Sequence, residues 1–293
     1  MIPLRTNFGE EFALQQRLCF PVNCFSPTIT QRREYYSREF NVEEARRWLD
    51  RLPEALRNPI FAVDVGTETG VVRRRYRKSA GTLLMFSLGK LKELKTRLVD
   101  LLPEDVYYDR NLYENKEKCI ECKKRGKDCS NCTNIFGQHV MFDVDPENIE
   151  CPNCGTLEER IKRKSMYGFC FICFKKAAIY TLRLYNILVE KGYEKLEVIY
   201  SGRGFHIYVE DSESYSWTLP ERDALGKWVR DEEHIPIDLW VTRGGTKYAR
   251  LPFSLNGLVG KIVTPIEVTQ VTRMNPSRDV RFTPRFSVGS EEK

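Results

Sequence analysis

The chain has 293 residues, of which 41% are hydrophobic, 12% aromatic and 30% charged, with a formal net charge of +6. Such a composition is globular, sized for one large domain or two small ones, and it excludes a low-complexity chain. No apolar run reaches the roughly 20 residues of a membrane span, and the opening "MIPLRTNFGEEF" lacks a charged-then-apolar leader pattern, so an intracellular protein is expected.

Residues 1–58 read as mostly helical, with Ala45, Trp48, Leu49 and Leu52 at helical spacing. "IFAVDVG" reads as a strand, "TETG" as a turn and "VVRRRYR" as a second strand. "LLMFSLGKLKELKTRLVDLL" predicts a helix stopped by Pro103. A cysteine-rich block at 119–132 precedes the strand "HVMFDVD", and a second block at 151–173 follows it. "KKAAIYTLRLYNILVEKG" predicts an amphipathic helix ending at Gly192. "LEVIY", the loop "SGRG" and "FHIYV" predict a hairpin, and "IPIDLWV" a further strand. Beyond Pro265 the periodicity fades. Short turns between strands favour a mixed or antiparallel sheet over a doubly wound one, which places the chain in the α+β class.

The charge is uneven. Val71 to Leu98 holds nine Lys or Arg against one Glu, a net of +8. A block such as "VVRRRYRKS" suits a polyanion partner, although a solvated basic hairpin has the same composition.

Of ten cysteines, eight form four C-x-x-C pairs. Disulfides are disfavoured inside cells, whereas a C-x-x-C turn aims two thiolates at one tetrahedral centre and two turns complete a zinc site. Cys151/Cys154 and Cys170/Cys173 enclose 15 residues, which suits a zinc ribbon; Cys119/Cys122 and Cys129/Cys132 enclose six, a tighter knuckle. Swapped pairing between the sets stays open, and a redox dithiol is the alternative chemistry. About two structural Zn²⁺ are expected, and two filled four-thiolate sites would bring the net charge from +6 to about +2. Cys19 and Cys24 read as ordinary thiols.

Four other features carry chemistry. Asp143 and Asp145 end an apolar strand two positions apart, so they share a face, and two such carboxylates repel unless a cation sits between them. An exposed strand end would show the same pattern. "YSGRGFHIYV" sets Ser201, Arg203 and His206 around a glycine-flexed loop suited to phosphate, though tight turns also need glycine. Asp238 lies among apolar residues, where a carboxylate needs a metal or an ion pair such as Arg243. "RLPFSLNGLVGK" supplies Arg250 and Lys261, which are otherwise ordinary surface cations. Metal-binding carboxylates, phosphate-binding cations and a basic surface together match nucleotidyl transfer, in which two metal ions activate a 3′-hydroxyl and stabilise the leaving pyrophosphate.

"VMFDVD", "YSGRGFHIYV", "IDLWVT" and "RLPFSLNG" resemble, in order and character, the motifs of the archaeo-eukaryotic primase family, and most of all the catalytic small subunit of DNA primases. The resemblance covers roughly residues 37–262. It implies catalytic Mg²⁺ or Mn²⁺ held by Asp143, Asp145 and Asp238, and a nucleotide triphosphate held by Ser201, Arg203, His206 and Arg250. A zinc site directly after the aspartate pair, here Cys151, Cys154, Cys170 and Cys173, is also family-like. "SREF" and "RRYRKS" resemble two looser nucleotide-site motifs and implicate Arg38, Glu39 and Arg75. Arg73, Arg74, Arg77 and Lys78 would then contact the nucleic-acid backbone.

The implied fold is the primase (Prim-Pol) fold. An N-terminal α/β module over 1–118 would stand beside an RRM-like catalytic module over 119–265 with zinc insertions at 119–132 and 151–173, followed by a tail at 266–293. The implied function is template-directed primer synthesis on single-stranded DNA. The alternatives are an end-extending or repair polymerase unable to initiate, and a non-catalytic zinc-dependent nucleic-acid-binding module. Implied partners are single-stranded DNA, nucleoside triphosphates, and a primase large subunit or a fused helicase region; the implied location is cytoplasmic and nucleoid-associated. The chain departs from the family at Asn256, where a histidine is common, and in its extra cysteine set at Cys119–Cys132. It departs again in the 31 residues between His206 and Asp238, too few for the helical insertion common there. A reduced primase and the catalytic portion of a longer plasmid or viral primase-polymerase both fit these departures.

Overall fold

The structure is a computed structural model that describes residues 27–65, 83–124, 132–163, 168–244, 247–276 and 278–288. Cys19, Cys24, Cys129, the expected strand "VVRRRYR" and, with it, Arg73, Arg74, Arg75, Arg77 and Lys78 lie outside the described residues.

Helical periodicity holds at the start of this range. Helices span Ile29–Glu34 and Val42–Asp50, joined by a π turn at Tyr35–Glu39 and followed by a short turn of helix at Glu54–Arg57. Thr28 and Gln31 form a capping box, and Asn41 caps the second helix. Tyr35, Tyr36, Phe40, Ala45, Trp48, Leu49 and Leu56 are buried.

Strand β1 (Phe61–Asp64) pairs antiparallel with β2 (Leu83–Phe86). Here the long helix expected from Leu83 is replaced by a strand, and α-helix begins only at Leu94 and ends at Leu101. Four apolar residues in a row carry no helical or strand period; the β1 ladder, with Phe61 opposite Phe86, decides the matter. Leu102 closes the helix in the left-handed region (φ +46°), just before Pro103.

Strand β3 (Asp105–Asp109) pairs with β1, and β4 (Asn111–Tyr113) pairs with β5 (Ile135–Gln138). Strand β6 (Val140–Val144) leads into the aspartate pair. After the second cysteine block comes the expected helix, Phe171–Glu190, and then the expected hairpin of β7 (Leu196–Tyr200) and β8 (Phe205–Val209). Strand β9 (Tyr248–Arg250) returns to pair with β3. Strands β10 (Leu255–Asn256) and β11 (Lys261–Ile262) form a small ribbon, and β12 (Thr264–Ile266) adds to β7. The two larger sheets, β2-β1-β3-β9 and β12-β7-β8-β6, are antiparallel throughout.

"IPIDLWV" is not a strand. Asp238 accepts a hydrogen bond from the Trp240 amide (2.9 Å) and caps a single helical turn, Leu239–Thr242. Pro236 lacks the amide a ladder needs, and an aspartate at the N-cap satisfies a donor that a strand would have to pair elsewhere.

Strand alternation places the core. Val140, Phe142 and Val144 join Phe205, Ile207 and Val209 under Phe174, Ala177 and Leu184 of the long helix. Met141, Ile199 and Tyr208 face the other way, against Phe61, Val63, Val106 and Tyr108 of the first sheet. Asp143 and His206 belong to this second face, between the sheets. No described helix is long and apolar enough to cross a membrane.

Candidate active site

The β6–β8 register sets Asp143 directly opposite His206. Asp145 continues the extended backbone (φ −90°, ψ 137°), so its side chain returns to the face of Asp143. The Asp238 amide donates to the Asp143 carbonyl (3.0 Å), which brings the third aspartate to the same strand end although it lies 93 positions beyond Asp145 in sequence. Asp143, Asp145, Ser201, Arg203, His206, Arg250 and Asn256 line one cleft of about 550 Å³, its open mouth included, closed by Tyr107, Met141, Val241 and Tyr248.

The loop Ser201–Gly204 is tightly built. Ser201 Oγ accepts from the Gly204 amide (3.1 Å). A Cβ on Gly204 would stand 2.6 Å from Asp145 Oδ1, and Gly202 has φ +96° with Asn256 pressed against it. Both positions therefore exclude a side chain. Asn256 donates to the Ser201 carbonyl (2.8 Å) and accepts from the Leu258 amide (3.1 Å), so it braces this loop.

Two carboxylates that the sequence reading passed over hold the cations. Glu147 pairs with Arg203 at 2.8 Å, both nearly buried. Asp105 pairs with Arg250 at 3.1 Å, and Arg250 also donates to the Tyr107 hydroxyl at 3.1 Å. Glu147 extends the alternation of Asp143 and Asp145, a signal present in "DVDPE"; nothing local marks Asp105, which meets Arg250 through β3–β9 pairing. Lys247, 2.6 Å from the fully buried Asp109, anchors the start of β9.

Electrostatically the cleft is strained toward a bound cation. Burial, then the charges of Asp145, Glu147 and Asp238, push the Asp143 carboxyl well above its ordinary value. Burial also raises Asp145, against the pull of Arg203 and Arg250, and raises Glu147 to about 7. Burial, with Arg250 and Arg110 nearby, lowers His206 to about 3, so its imidazole is neutral. Burial opposes the Arg250 charge, but Asp105, Tyr107, Asp145 and Asp143 outweigh it. Asp143 Oδ1 is buried without a hydrogen-bond partner, and the neutral His206 Nε2 stands 3.7 Å away. An orphaned carboxylate oxygen with Asp145 and Asp238 nearby suits a hard divalent ion such as Mg²⁺ or Mn²⁺, although the three carboxylates do not close into one ligand group among the described residues, where Asp238 caps the Leu239–Thr242 turn.

The sulfurs of Cys151, Cys154, Cys170 and Cys173 all lie within 4.8 Å of one another. Cys151–Cys170 and Cys170–Cys173 are 3.6 and 3.7 Å apart, close to the roughly 3.8 Å edge of a tetrahedron with 2.3 Å zinc–sulfur bonds. Burial and the neighbouring Cys170 push Cys154 up to about 11; four thiolates this close need a cation. Of the other set, Cys119, Cys122 and Cys132 are described and form no such group among the described residues. The structure does not bring Arg38, Glu39 or Lys261 to the cleft. Arg38 is exposed beside Glu34, Glu39 accepts from the Arg285 amide, and Lys261 donates to Thr283. Asp238 is not paired with Arg243, whose guanidinium lies over Trp240 instead.

Fold and site define the class: an α+β protein with a carboxylate-and-cation cleft between two antiparallel sheets and an attached four-cysteine cluster. No family model matches the chain. A protein of Archaeoglobus fulgidus described as an uncharacterized DNA primase small subunit-like protein is 36% identical over 258 residues, 88% of this chain and 90% of that one. The DNA primase small subunit PriS of Pyrobaculum calidifontis is 25% identical over 225 residues, 62% of this chain and 66% of the subunit. For that of Thermococcus onnurineus the values are 24% over 212 residues, 72% of this chain and 52% of the subunit, so the match spans about half its length. The polymerase domain of Mycobacterium tuberculosis ligase D, solved in complex with DNA, aligns with a TM-score of 0.49 at 14% identity, over 83% of this chain and 82% of that one. The chain belongs to the family of DNA primase small subunits and the proteins similar to them.

Proposed function

We propose that this chain is a DNA-directed nucleotidyltransferase of the primase type, extending or starting strands on a single-stranded template. The observation that carries the reading is the convergence of Asp143 and Asp145 with Ser201, Arg203, His206 and Arg250 at one cleft, with Asp238 tied to the Asp143 backbone beside it and a carboxylate oxygen of Asp143 left unpartnered. Asp143, Asp145 and Asp238 would hold Mg²⁺ or Mn²⁺, which supplies activation of the attacking hydroxyl and stabilisation of the leaving pyrophosphate. Arg203 and Arg250 present guanidiniums to the triphosphate, and neutral His206 offers Nε2 as a hydrogen-bonding group without adding charge. Glu147 and Asp105 keep both guanidiniums oriented before a nucleotide arrives, which reduces the ordering lost on binding. The β12-β7-β8-β6 sheet would be the core of the catalytic module and the β2-β1-β3-β9 sheet that of the N-terminal module, which then reaches beyond the expected 1–118 because β9 (Tyr248–Arg250) pairs with β3; a primase large subunit is the proposed protein partner. The decisive assay supplies single-stranded template, Mg²⁺ or Mn²⁺ and labelled nucleotides, with and without a primer. Products without a primer establish initiation, products only with one establish an extending polymerase, and none with either defeats the reading.

Arg203→Ala and His206→Ala should weaken nucleotide binding more than strand binding. Loss of a charge-assisted phosphate contact is worth about 1.5–3 kcal/mol, or roughly 10- to 100-fold in nucleotide Kd, which calorimetry can measure. Strand affinity falling while nucleotide affinity holds would contradict the assignment.

The basic segment is proposed as a phosphate contact. In the strand that the sequence pattern predicts, Arg74 and Lys78 would share one face and Arg73, Arg75 and Arg77 the other. Neutralising Arg74 and Lys78 together should flatten the slope of log affinity against log salt by about 1 to 1.5 for single-stranded DNA. An unchanged slope would turn the cluster into a candidate protein-docking surface.

A further inference from the structure

Of the four tryptophans, Trp48 is 3% exposed and Trp217 and Trp228 pack against the core, whereas Trp240 is 56% exposed. Its neighbours on the Leu239–Thr242 turn explain why it cannot turn inward. Leu239 and Thr242 press on Gly226, where an added Cβ would meet them at 2.5 and 3.2 Å. Val241 lines the cleft. The remaining side of the turn faces solvent, and there the indole stands, one residue before the cleft-lining Val241. Its backbone is tied to the aspartates, because Asp238 Oδ1 accepts from the Trp240 amide and the Asp238 amide donates to the Asp143 carbonyl.

The surroundings are cationic. The Arg243 guanidinium lies over the indole at 5.2 Å from its centroid and makes no ion pair among the described residues. Arg222 buttresses it by donating to the Arg243 carbonyl (3.3 Å), and the nearby Asp223 is taken by Lys227 (2.7 Å). An exposed aromatic plane beside a guanidinium with no ion pair among the described residues suits a ligand that has both a flat π surface and an anionic group. A nucleotide unit of a single strand has both.

We propose that Trp240 and Arg243 form a stacking platform for one unpaired base of the nucleic-acid strand beside the aspartate cleft, with Arg243 on the adjoining phosphodiester. The proposal rests on the nucleotidyltransferase reading and adds to it a strand contact outside the metal and triphosphate positions. Stacking of this kind tolerates any base, because every base has a π face.

The test measures anisotropy of a labelled single-stranded oligodeoxynucleotide, and of the same strand with abasic sites, without metal or nucleotide. Trp240→Ala should weaken binding of the base-bearing strand about tenfold and leave the abasic strand unchanged, while Trp240→Phe keeps most of the affinity. Arg243→Ala should lower the salt slope by about 0.7, and Trp240→Ala should not change it. Melting curves and zinc content matching the parent would show that the variants are folded. Equal affinity of Trp240→Ala and parent for the base-bearing strand, or an equal loss on the abasic strand, overturns the platform and leaves a protein-binding rim in its place. Trp240-dependent strand binding by a parent that adds no nucleotide would keep the platform and overturn the polymerase reading.

Discussion

Asp143→Asn and Asp145→Asn should each reduce nucleotide addition by roughly a thousandfold while the protein stays folded. The first half of this expectation follows from the cleft: with Asp238 they are the only carboxylates proposed as metal ligands there, and Asn offers neither the charge nor the second equivalent oxygen. The second half follows from electrostatics. Burial and neighbouring carboxylates raise both groups above their ordinary values. Between the ordinary and the raised pKa the folded protein binds more protons than the unfolded chain, so stability falls as pH rises through that window. Removing one carboxylate should therefore stabilise the metal-free protein near pH 7, by about 1 kcal/mol or roughly 2–4 °C in Tm. The gain should vanish below about pH 4, where both states are protonated. Mg²⁺ or Mn²⁺ should raise the parent's Tm and leave the variants' unmoved. Activity within about threefold of the parent for either variant, against the 10²–10³ expected for loss of such a group, would sink the metal assignment.

Cys173→Ser should release one zinc per chain and lower Tm by about 10 °C or more, since structural zinc contributes folding free energy directly. The cluster is joined to the aspartates by Arg160. This fully buried side chain donates to the carbonyls of Pro146 (3.3 Å) and Ile149 (2.8 Å) and to Cys173 Sγ (3.5 Å). Its charge offsets the −2 of a four-thiolate zinc site. The turn it holds, Pro146–Asn148, carries Glu147, which in turn holds Arg203. Loss of zinc should therefore weaken nucleotide binding as well as stability, although four sulfur ligands leave no coordination position for substrate. Arg160→Met should destabilise by about 3–5 kcal/mol, as expected when one partner of a buried charge network is removed, and Arg160→Lys should not rescue it because one ammonium cannot span the four acceptors, the Gly155 carbonyl (3.4 Å) included. Elemental analysis and melting curves decide: full zinc content in Cys173→Ser, or parental melting of Arg160→Met, would break the link.

Features that depend on a few adjacent residues were legible in the sequence. Alternation put Asp143 and Asp145 on one face, C-x-x-C spacing paired the cysteines that do converge, and amphipathic spacing located the helix Phe171–Glu190. Glycines at 202 and 204 marked the loop where a backbone must approach Asp145 and Asn256. What failed were segments with no period of their own. "LLMF" became a strand because β1 offered a ladder, and "IPIDLWV" became a cap because Asp238 satisfied the Trp240 amide. The partners of the cleft's cations belonged wholly to tertiary structure. Asp105 and Arg250 are 145 positions apart and meet only when β3 pairs with β9, and the exposure of Trp240 depends on Gly226 receiving Leu239 and Thr242. Side-chain periodicity is a property of the local backbone and is written in order along the chain. Burial, orphaned oxygens and shifted protonation arise from which distant surfaces exclude water together, and that is settled only when the two sheets close on each other.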